Sequence, residues 1–298
     1  MNVTELKDTT KTNKTVIAVG TFDGVHKAHA ELIRKTAATA SLIGAVPAVW
    51  TFDDDFRKKG QSRIITPGER DALFSSLGVE RVFKADFSRV KDLSPEEFCR
   101  DVLIGGCGAE YVLCGYNFRF GKGAEGDAGT LVSLMHEYGK GAVVLDPVKC
   151  GQRPVSSTAI RAALKDGDVR LAQMMLGRPF SVTLPVIHGR RLGTGMGYPT
   201  INQKYPDDLT PLRPGVYACR AYVGGGVHPA VSNVGVKPTV GAEFVTVETH
   251  IFGYDADMYG LDVCVEFIDF IRDEKKFGSL GELKAQIAKD ASAALGML

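Results

Sequence analysis

The sequence predicts an α/β protein in two parts: a doubly wound parallel sheet over the first 180 residues, then a compact antiparallel β-domain closed by one helix. Three observations carry that expectation. From Thr15 to about Val148, apolar strand-like runs alternate with helical stretches at roughly 30-residue intervals, the pattern of βαβ units. After Leu176-Gly177-Arg178-Pro179 strand-like runs follow one another, separated by Gly, Pro and Asp clusters. The 298 residues, 44% hydrophobic and 24% charged, suffice for two domains with a core in each.

In the first part, strands are expected near 15–20, 46–52, 79–85, 109–115 and 142–148, with helices near 27–43, 67–77, 94–104, 129–138 and 157–166. Two helix starts are explicit. Thr66-Pro67 precedes GERDALF, and Ser94-Pro95-Glu96-Glu97 puts proline at the first helical position. In the second part VYACRAYV, HPAVSNVGV, EFVTVETHIF and LDVCVEFIDFI read as strands of a barrel or sandwich. A last helix, from about Ser279 to Leu295, carries Leu283, Ile287 and Ala288 on one stripe. The division is expected near residue 180, giving domains 1–180 and 181–298.

Charge argues against a nucleic-acid binder. The net charge is +1, with 25 basic against 22 acidic residues in 1–180 and 11 against 13 in 181–298. The polar start MNVTELKDTTKTNK lacks the apolar core of a secretory signal, and no run has the length to span a bilayer. The six cysteines form no C-x-x-C pair and read as reduced, mostly buried thiols of a cytoplasmic protein.

Chemistry concentrates first in GTFDGVHKAH, Gly20 to His29, directly after the apolar run Thr15 to Val19. A strand ends in a glycine, turns through Asp23-Gly24, and opens a helix with His26 and His29 in its first turn. A spacing of three puts both imidazoles on one face. The helix start adds unpaired N–H groups and a positive dipole end, an anion site suited to a phosphate in transfer. In the strand order 3-2-1-4-5, strands one and four lie side by side where the order reverses, and ligands bind beyond their carboxyl ends. Strand four ends in GYNFRFGKGAEGD, Gly115 to Asp127, a second glycine-rich turn with Asn117 and Arg119. A third element, VSSTAIR (Val155 to Arg161), supplies Ser156 and Ser157 as capping hydroxyls and Arg161 as a cation on the first turn.

The second part contains HGRRLGTGMGYPTINQ, His188 to Gln203. Its glycines Gly189, Gly193, Gly195 and Gly197 make a loop able to cover phosphates with backbone N–H groups. Alternation after Pro199 puts Thr200 and Asn202 on one face, where a hydroxyl and an amide oxygen suit Mg²⁺. In FVTVETHIF, Thr246, Glu248, His250 and Phe252 alternate with Val245, Val247, Thr249 and Ile251; Glu248 is the acid of that run.

Taken together, GTFDGVH-x-x-H, GYNFRFG, SSTAIR, GYPTIN, VSNVGVKPT, VETHIF and FIRDEKKF resemble the bacterial bifunctional riboflavin kinase/FMN adenylyltransferase (FAD synthetase) family. The likeness extends from about residue 15 onward. It implies an N-terminal Rossmann-like nucleotidyltransferase domain with a parallel sheet, and a C-terminal antiparallel β-barrel riboflavin kinase domain with a C-terminal helix. It implies that riboflavin is phosphorylated by ATP to FMN, and FMN then adenylylated to FAD with release of pyrophosphate. In the first domain, Gly20, Phe22, Asp23, Gly24, His26, His29, Asn117, Ser156, Ser157, Thr158 and Arg161 would bind ATP and its phosphates, with His26 and His29 catalytic. In the second, the four loop glycines, Pro199, Thr200 and Asn202 would bind ATP and flavin, Thr200 and Asn202 would hold Mg²⁺, and Glu248 would act as base. The implied partners are these small molecules, with no nucleic acid and no membrane. A kinase-only enzyme and a non-catalytic flavin-binding regulator are the competing readings.

The chain departs from the family pattern in three places. Ala28 stands where a glycine usually separates the histidine partners, adding a methyl where a phosphate approaches the backbone. After the second strand a His-Pro feature is replaced by TFDDDF, which brings Asp53, Asp54 and Asp55 toward a polyanion site. In the kinase loop, Thr194 and Met196 replace arginine and leucine.

Overall fold

The computed structural model describes residues 2–5, 14–54, 56, 60–188, 197–239 and 242–298. The chain forms two compact units, Met1–Gln61 with Ile65–Ser157, and Ser62–Ile64 with Thr158–Leu298.

The first unit runs β1 (Asn2–Glu5), β2 (Thr15–Val19), α1 (Lys27–Ile43), β3 (Val46–Phe52), α2 (Pro67–Ser76), β4 (Arg81–Ala85), α3 (Phe87–Val90) and α4 (Pro95–Glu97). A π-helix (Phe98–Gly106) then leads to β5 (Ala109–Gly115), β6 (Arg119–Phe120), β7 (Gly126–Asp127), α5 (Ala128–Glu137), β8 (Gly141–Leu145), β9 (Lys149–Cys150) and β10 (Arg153–Pro154). The main sheet has the order β1-β4-β3-β2-β5-β8. Its five parallel strands follow the expected 3-2-1-4-5 order, and β1 adds an antiparallel edge on β4. The centre is apolar on both faces: every residue of β2 is buried, as parallel strands covered on both sides require. One face packs Ile17, Val19, Trp50 and Phe83 against Phe98, Leu103, Leu131 and Met135.

Local signals set the helix ends. Thr66 and Glu69 form a capping box before Pro67, and Ser94 and Glu97 form another before Pro95, each cap contributing about 1 kcal/mol. Beyond Pro95 the expected α-helix over 94–104 becomes a π-helix from Phe98. Bonding from i to i+5 stacks Phe98 over Leu103 with Cys99 beside them, so all three face the core. Gly121, with φ of +74°, lies against Pro95, where a Cβ would stand 2.9 Å from the proline ring. Glycine is required there by conformation and by space.

The second unit holds α6 (Ser157–Lys165), α7 (Val169–Leu176), β11 (Phe180–Ile187), β12 (Ile201–Lys204), β13 (Gly215–Val223), β14 (Gly226–Thr239), β15 (Ala242–Ile251), β16 (Asp262–Asp273) and α8 (Leu280–Met297). The six strands close an antiparallel barrel in the order β11-β12-β15-β14-β13-β16, which decides between barrel and sandwich. Closure leaves no open edge. Inside lie Val182, Val234, Val247, Val263, Val265 and Phe267. Gln203 is a buried polar residue among them, donating its amide to the carbonyls of Leu184 and Val263. Ser279 caps α8, and Asp290 on that helix holds Arg272 of β16 at 2.6 Å. Ser62–Ile64 is tied into this unit by Arg63 N–H to the Asp208 carbonyl and Thr210 N–H to the Arg63 carbonyl.

Candidate active sites

In the first unit, β2 and β5 are parallel neighbours at the point where strand order reverses, so the loops after them flank one crevice. The loop after β2 is strained: Phe22 and Val25 have φ of +51° and +38°, outside the comfortable range of non-glycine residues. That conformation turns the chain so that His26 caps α1, its Nδ1 accepting the His29 N–H at 3.3 Å. Nδ1 is therefore unprotonated, and a neutral His26 carries its proton on Nε2. The imidazoles of His26 and His29 stack at 3.6 Å, and Phe22 supports His29 at 5.1 Å. Phe74 meets Phe22 edge-on at 5.5 Å. The His29 ring is half-buried, but its Nδ1 is sealed from solvent without a hydrogen-bond partner. Desolvation first, and the neighbouring His26 second, hold the His29 pKa well below its ordinary value. The start of α1 thus presents a His29 that favours its neutral form.

Within TFDDDF, Asp53 and Asp54 do not stand as bare negative charge. Asp54 pairs with Arg70 at 2.7 Å and with Lys84 at 3.2 Å, and Lys84 also meets Asp71 at 2.7 Å. Asp53 accepts the Phe56 N–H, and Asp55 lies outside the described residues. Around them is an aromatic wall absent from the sequence reading: Phe52, Phe56 and Phe87 have ring centroids 4.2 to 5.3 Å apart, and Trp50 meets Phe52 at 5.2 Å. Across the crevice Asn117 is exposed, and Arg119 faces Asp127 at 3.6 Å. The third motif reaches the first loop where Ser157 donates its hydroxyl to the Asp23 carbonyl at 2.8 Å. Ser156 precedes it directly. Thr158 and Arg161 fall in the second unit, where Arg161 donates Nε–H to the Ser62 carbonyl at 2.7 Å.

In the barrel, Gly189, Gly193 and Gly195 lie outside the described residues, while Gly197 has φ of +84°. The Pro199 carbonyl accepts from His250 at 2.7 Å, which sets that ring's proton on Nδ1 and ties the GYPT segment to β15. Thr200 is half-buried just ahead of β12 and Asn202 is buried within it. Register brings Asn202 directly opposite Glu248 of β15, and Asn233 of β14 opposite Glu248 on its other side. Opposed residues of an antiparallel pair share a face, so Asn202, Glu248 and Asn233 form one row. Asn233 stands within VSNVGVKPT; only strand pairing places it beside the acid.

A FAD synthetase family model matches residues 8–159 and a riboflavin kinase model matches 176–298. A bifunctional riboflavin kinase/FMN adenylyltransferase of Bacillus subtilis is 33% identical over 293 residues, covering 95% of this chain and 92% of its own. The chain belongs to this bifunctional family. Its relative of the same name in Escherichia coli K12 is 33% identical over 282 residues, covering 92% of this chain and 90% of the relative. A solved structure described as a macrolide-efflux protein from Streptococcus pneumoniae shares the fold, with a TM-score of 0.86, 30% identity and 95% of both chains covered. Among the described residues here, no helix is long and apolar enough to cross a membrane. As a family member the chain is an enzyme with both a riboflavin kinase and an FMN adenylyltransferase domain.

The burial of His29 has a consequence for stability in this family member. Its pKa is lower folded than unfolded, so the unfolded chain binds more protons in the window between the two values. The contribution is complete above the ordinary histidine pKa of about 6.5 and is lost as pH falls from there through the folded value. Unfolding followed by Trp50, the single tryptophan, reports the first unit. The wild-type midpoint should fall between pH 7 and pH 5 more steeply than that of His29→Gln; parallel curves would show that His29 is not buried neutral.

Proposed function

We propose that the barrel converts riboflavin to FMN with ATP, and that the β2–β5 crevice then joins FMN to the adenylyl group of a second ATP, the activities dividing near residue 180 into domains 1–180 and 181–298. The pairing of Glu248 with Asn202 across β15 and β12 is the observation that carries this reading. Glu248 takes the proton of the riboflavin 5′-hydroxyl as that oxygen attacks the γ-phosphate of ATP, and ADP leaves. Phosphoryl transfer asks the protein chiefly for position and charge stabilisation, and this row supplies position.

The donor set beside Glu248 fits Mg²⁺. Thr200 and Asn202 offer hard oxygens, and Mg²⁺ commonly completes its shell with water and substrate phosphates rather than a protein cage. Among the described residues, no group of three or more His, Cys, Asp or Glu side chains forms such a cage. Thr200 and Asn202 would hold the ion, which when bound neutralises charge on the ATP phosphates.

In the crevice, the FMN phosphate attacks the α-phosphate of ATP and pyrophosphate leaves. The attacking oxygen is already anionic, so no protein nucleophile is required. His26 and His29 donate to phosphate oxygens at the start of α1, and the loop Gly20, Phe22, Asp23 and Gly24 shapes that site. Asn117 contacts the nucleotide or flavin. Ser156, Ser157, Thr158 and Arg161 are assigned to phosphate binding on the likeness of SSTAIR to the family motif. The Phe52, Phe56 and Phe87 rings offer the flat apolar surface that an isoalloxazine ring needs, and Phe87 is 43% exposed. The free thiols of all six cysteines support a cytoplasmic setting.

Incubating the purified protein with riboflavin, ATP and Mg²⁺, then separating the flavins by chromatography, tests the reading. FMN should appear first and FAD after it. FMN alone would leave a kinase, and neither product would overturn both assignments.

A further inference from the structure

We propose that Asn233 is the acceptor-side contact of the kinase site, an amide that holds the ribityl chain of riboflavin so that its terminal hydroxyl faces Glu248. This rests on the reading of Glu248 as the base. Glu248 lies in the middle of a three-strand row, with Asn202 opposite it on β12 and Asn233 opposite it on β14. Directly opposed residues on one face have Cβ atoms about 4.5–5.5 Å apart, within reach of one hydroxyl-bearing chain. Asn202 marks the metal and nucleotide side of the base. The acceptor must approach from elsewhere for in-line transfer, and the row offers Asn233.

The interior of the barrel fixes this placement. One position along, Ser232 and Thr249 share a hydrogen bond of 2.8 Å; on the other side Val234 and Val247 oppose each other, fully buried. A one-residue slip would send Asn233 inward and Val234 outward, so the register is strongly held. Asn233 itself is half-buried, and among the described residues its side chain has no hydrogen-bond partner. Its amide is uncommitted beside the proposed base.

Charge selects what that amide receives. Beyond Asn233 the Glu274 carboxylate lies over Gly235, so that a Cβ there would overlap it while standing 3.4 Å from Asn233 Nδ2. Asn233 is thus flanked by Glu248 in register and by Glu274. Two carboxylates repel a phosphate and favour a neutral ligand rich in hydroxyl donors. A sugar-alcohol chain meets that description, with an amide able both to donate to it and to accept from it.

Steady-state kinetics of the full-length enzyme with riboflavin and Mg²⁺–ATP separate the two sides of the base. Asn233→Ala should raise the riboflavin KM by about twofold to tenfold, the loss of one hydrogen bond, and leave the ATP KM unchanged. Asn233→Asp, equal in shape but lacking the N–H donors, should shift the riboflavin KM in the same direction. An unchanged riboflavin KM in both variants, or an equal rise in the ATP KM, would overturn the proposal. Glu248→Gln is measured alongside: loss of turnover there with an unmoved riboflavin KM in the Asn233 variants rejects Asn233 alone, whereas full turnover in Glu248→Gln removes the base on which the proposal rests.

Discussion

Glu248→Gln should lower riboflavin phosphorylation by about 10²–10⁴, the range expected when a positioned general base is removed. Glutamine keeps the length and planarity of the side chain, and the β15 register is held by Val247 and Thr249, which point into the barrel and are fully buried. The loss therefore falls on chemistry and leaves the fold in place. Formation of FAD from supplied FMN should be nearly unchanged, because none of the residues assigned to that step lies on a strand of the barrel. Rates are read separately, riboflavin to FMN and FMN to FAD, at saturating ATP. Wild-type phosphorylation by the variant would sink the assignment of Glu248, whatever happens to FAD formation.

Much of the crevice was legible in the sequence because parallel βαβ units obey strong rules. Apolar runs gave the strands, the handedness and order of such units put strands one and four together, and the two glycine-rich loops had to meet beyond their ends. What stayed hidden depends on partners far apart in sequence. Asn2–Glu5 is polar, and it becomes a strand only because β4 offers it an unpaired edge. The π-helix over Phe98–Gly106 escapes a search built on a 3.6-residue period, since it aligns residues five apart. Asp54 looks like repulsion beside a polyanion site until Arg70 and Lys84, 16 and 30 residues later, are seen to neutralise it. Glu248 stood out as the acid of VETHIF, but the barrel's strand order alone reveals that two asparagines flank it. The spacing of His26 and His29 also gave only a shared face. It did not disclose a stacked pair in which desolvation holds the His29 pKa well below its ordinary value.

That pair is where the adenylyl transfer step should be most sensitive. His26→Ala and His29→Ala should each lower FMN-to-FAD conversion by about 10²–10³, the usual consequence of losing one donor that stabilises developing charge. The two substitutions differ in what else they disturb. His26 is also the N-cap of α1, so alanine there removes a cap worth about 1 kcal/mol along with the imidazole. His26→Asn keeps a capping group and removes the ring, so it should lose the transfer rate while retaining the stability that His26→Ala loses. Riboflavin phosphorylation should stay intact in all three, because Glu248 and Thr200 are untouched. Ala28, between the histidines at the second helical position, supplies the opposite test. If its methyl obstructs approach of the phosphate to the helix start, Ala28→Gly should raise adenylyl transfer despite the intrinsic helix penalty of glycine, about 1 kcal/mol. Activity of the histidine variants close to wild type would remove the pair from the reaction. A wild-type enzyme that makes no FAD from saturating FMN and ATP would show that this crevice, with Ala28 and TFDDDF in place, no longer carries the transfer.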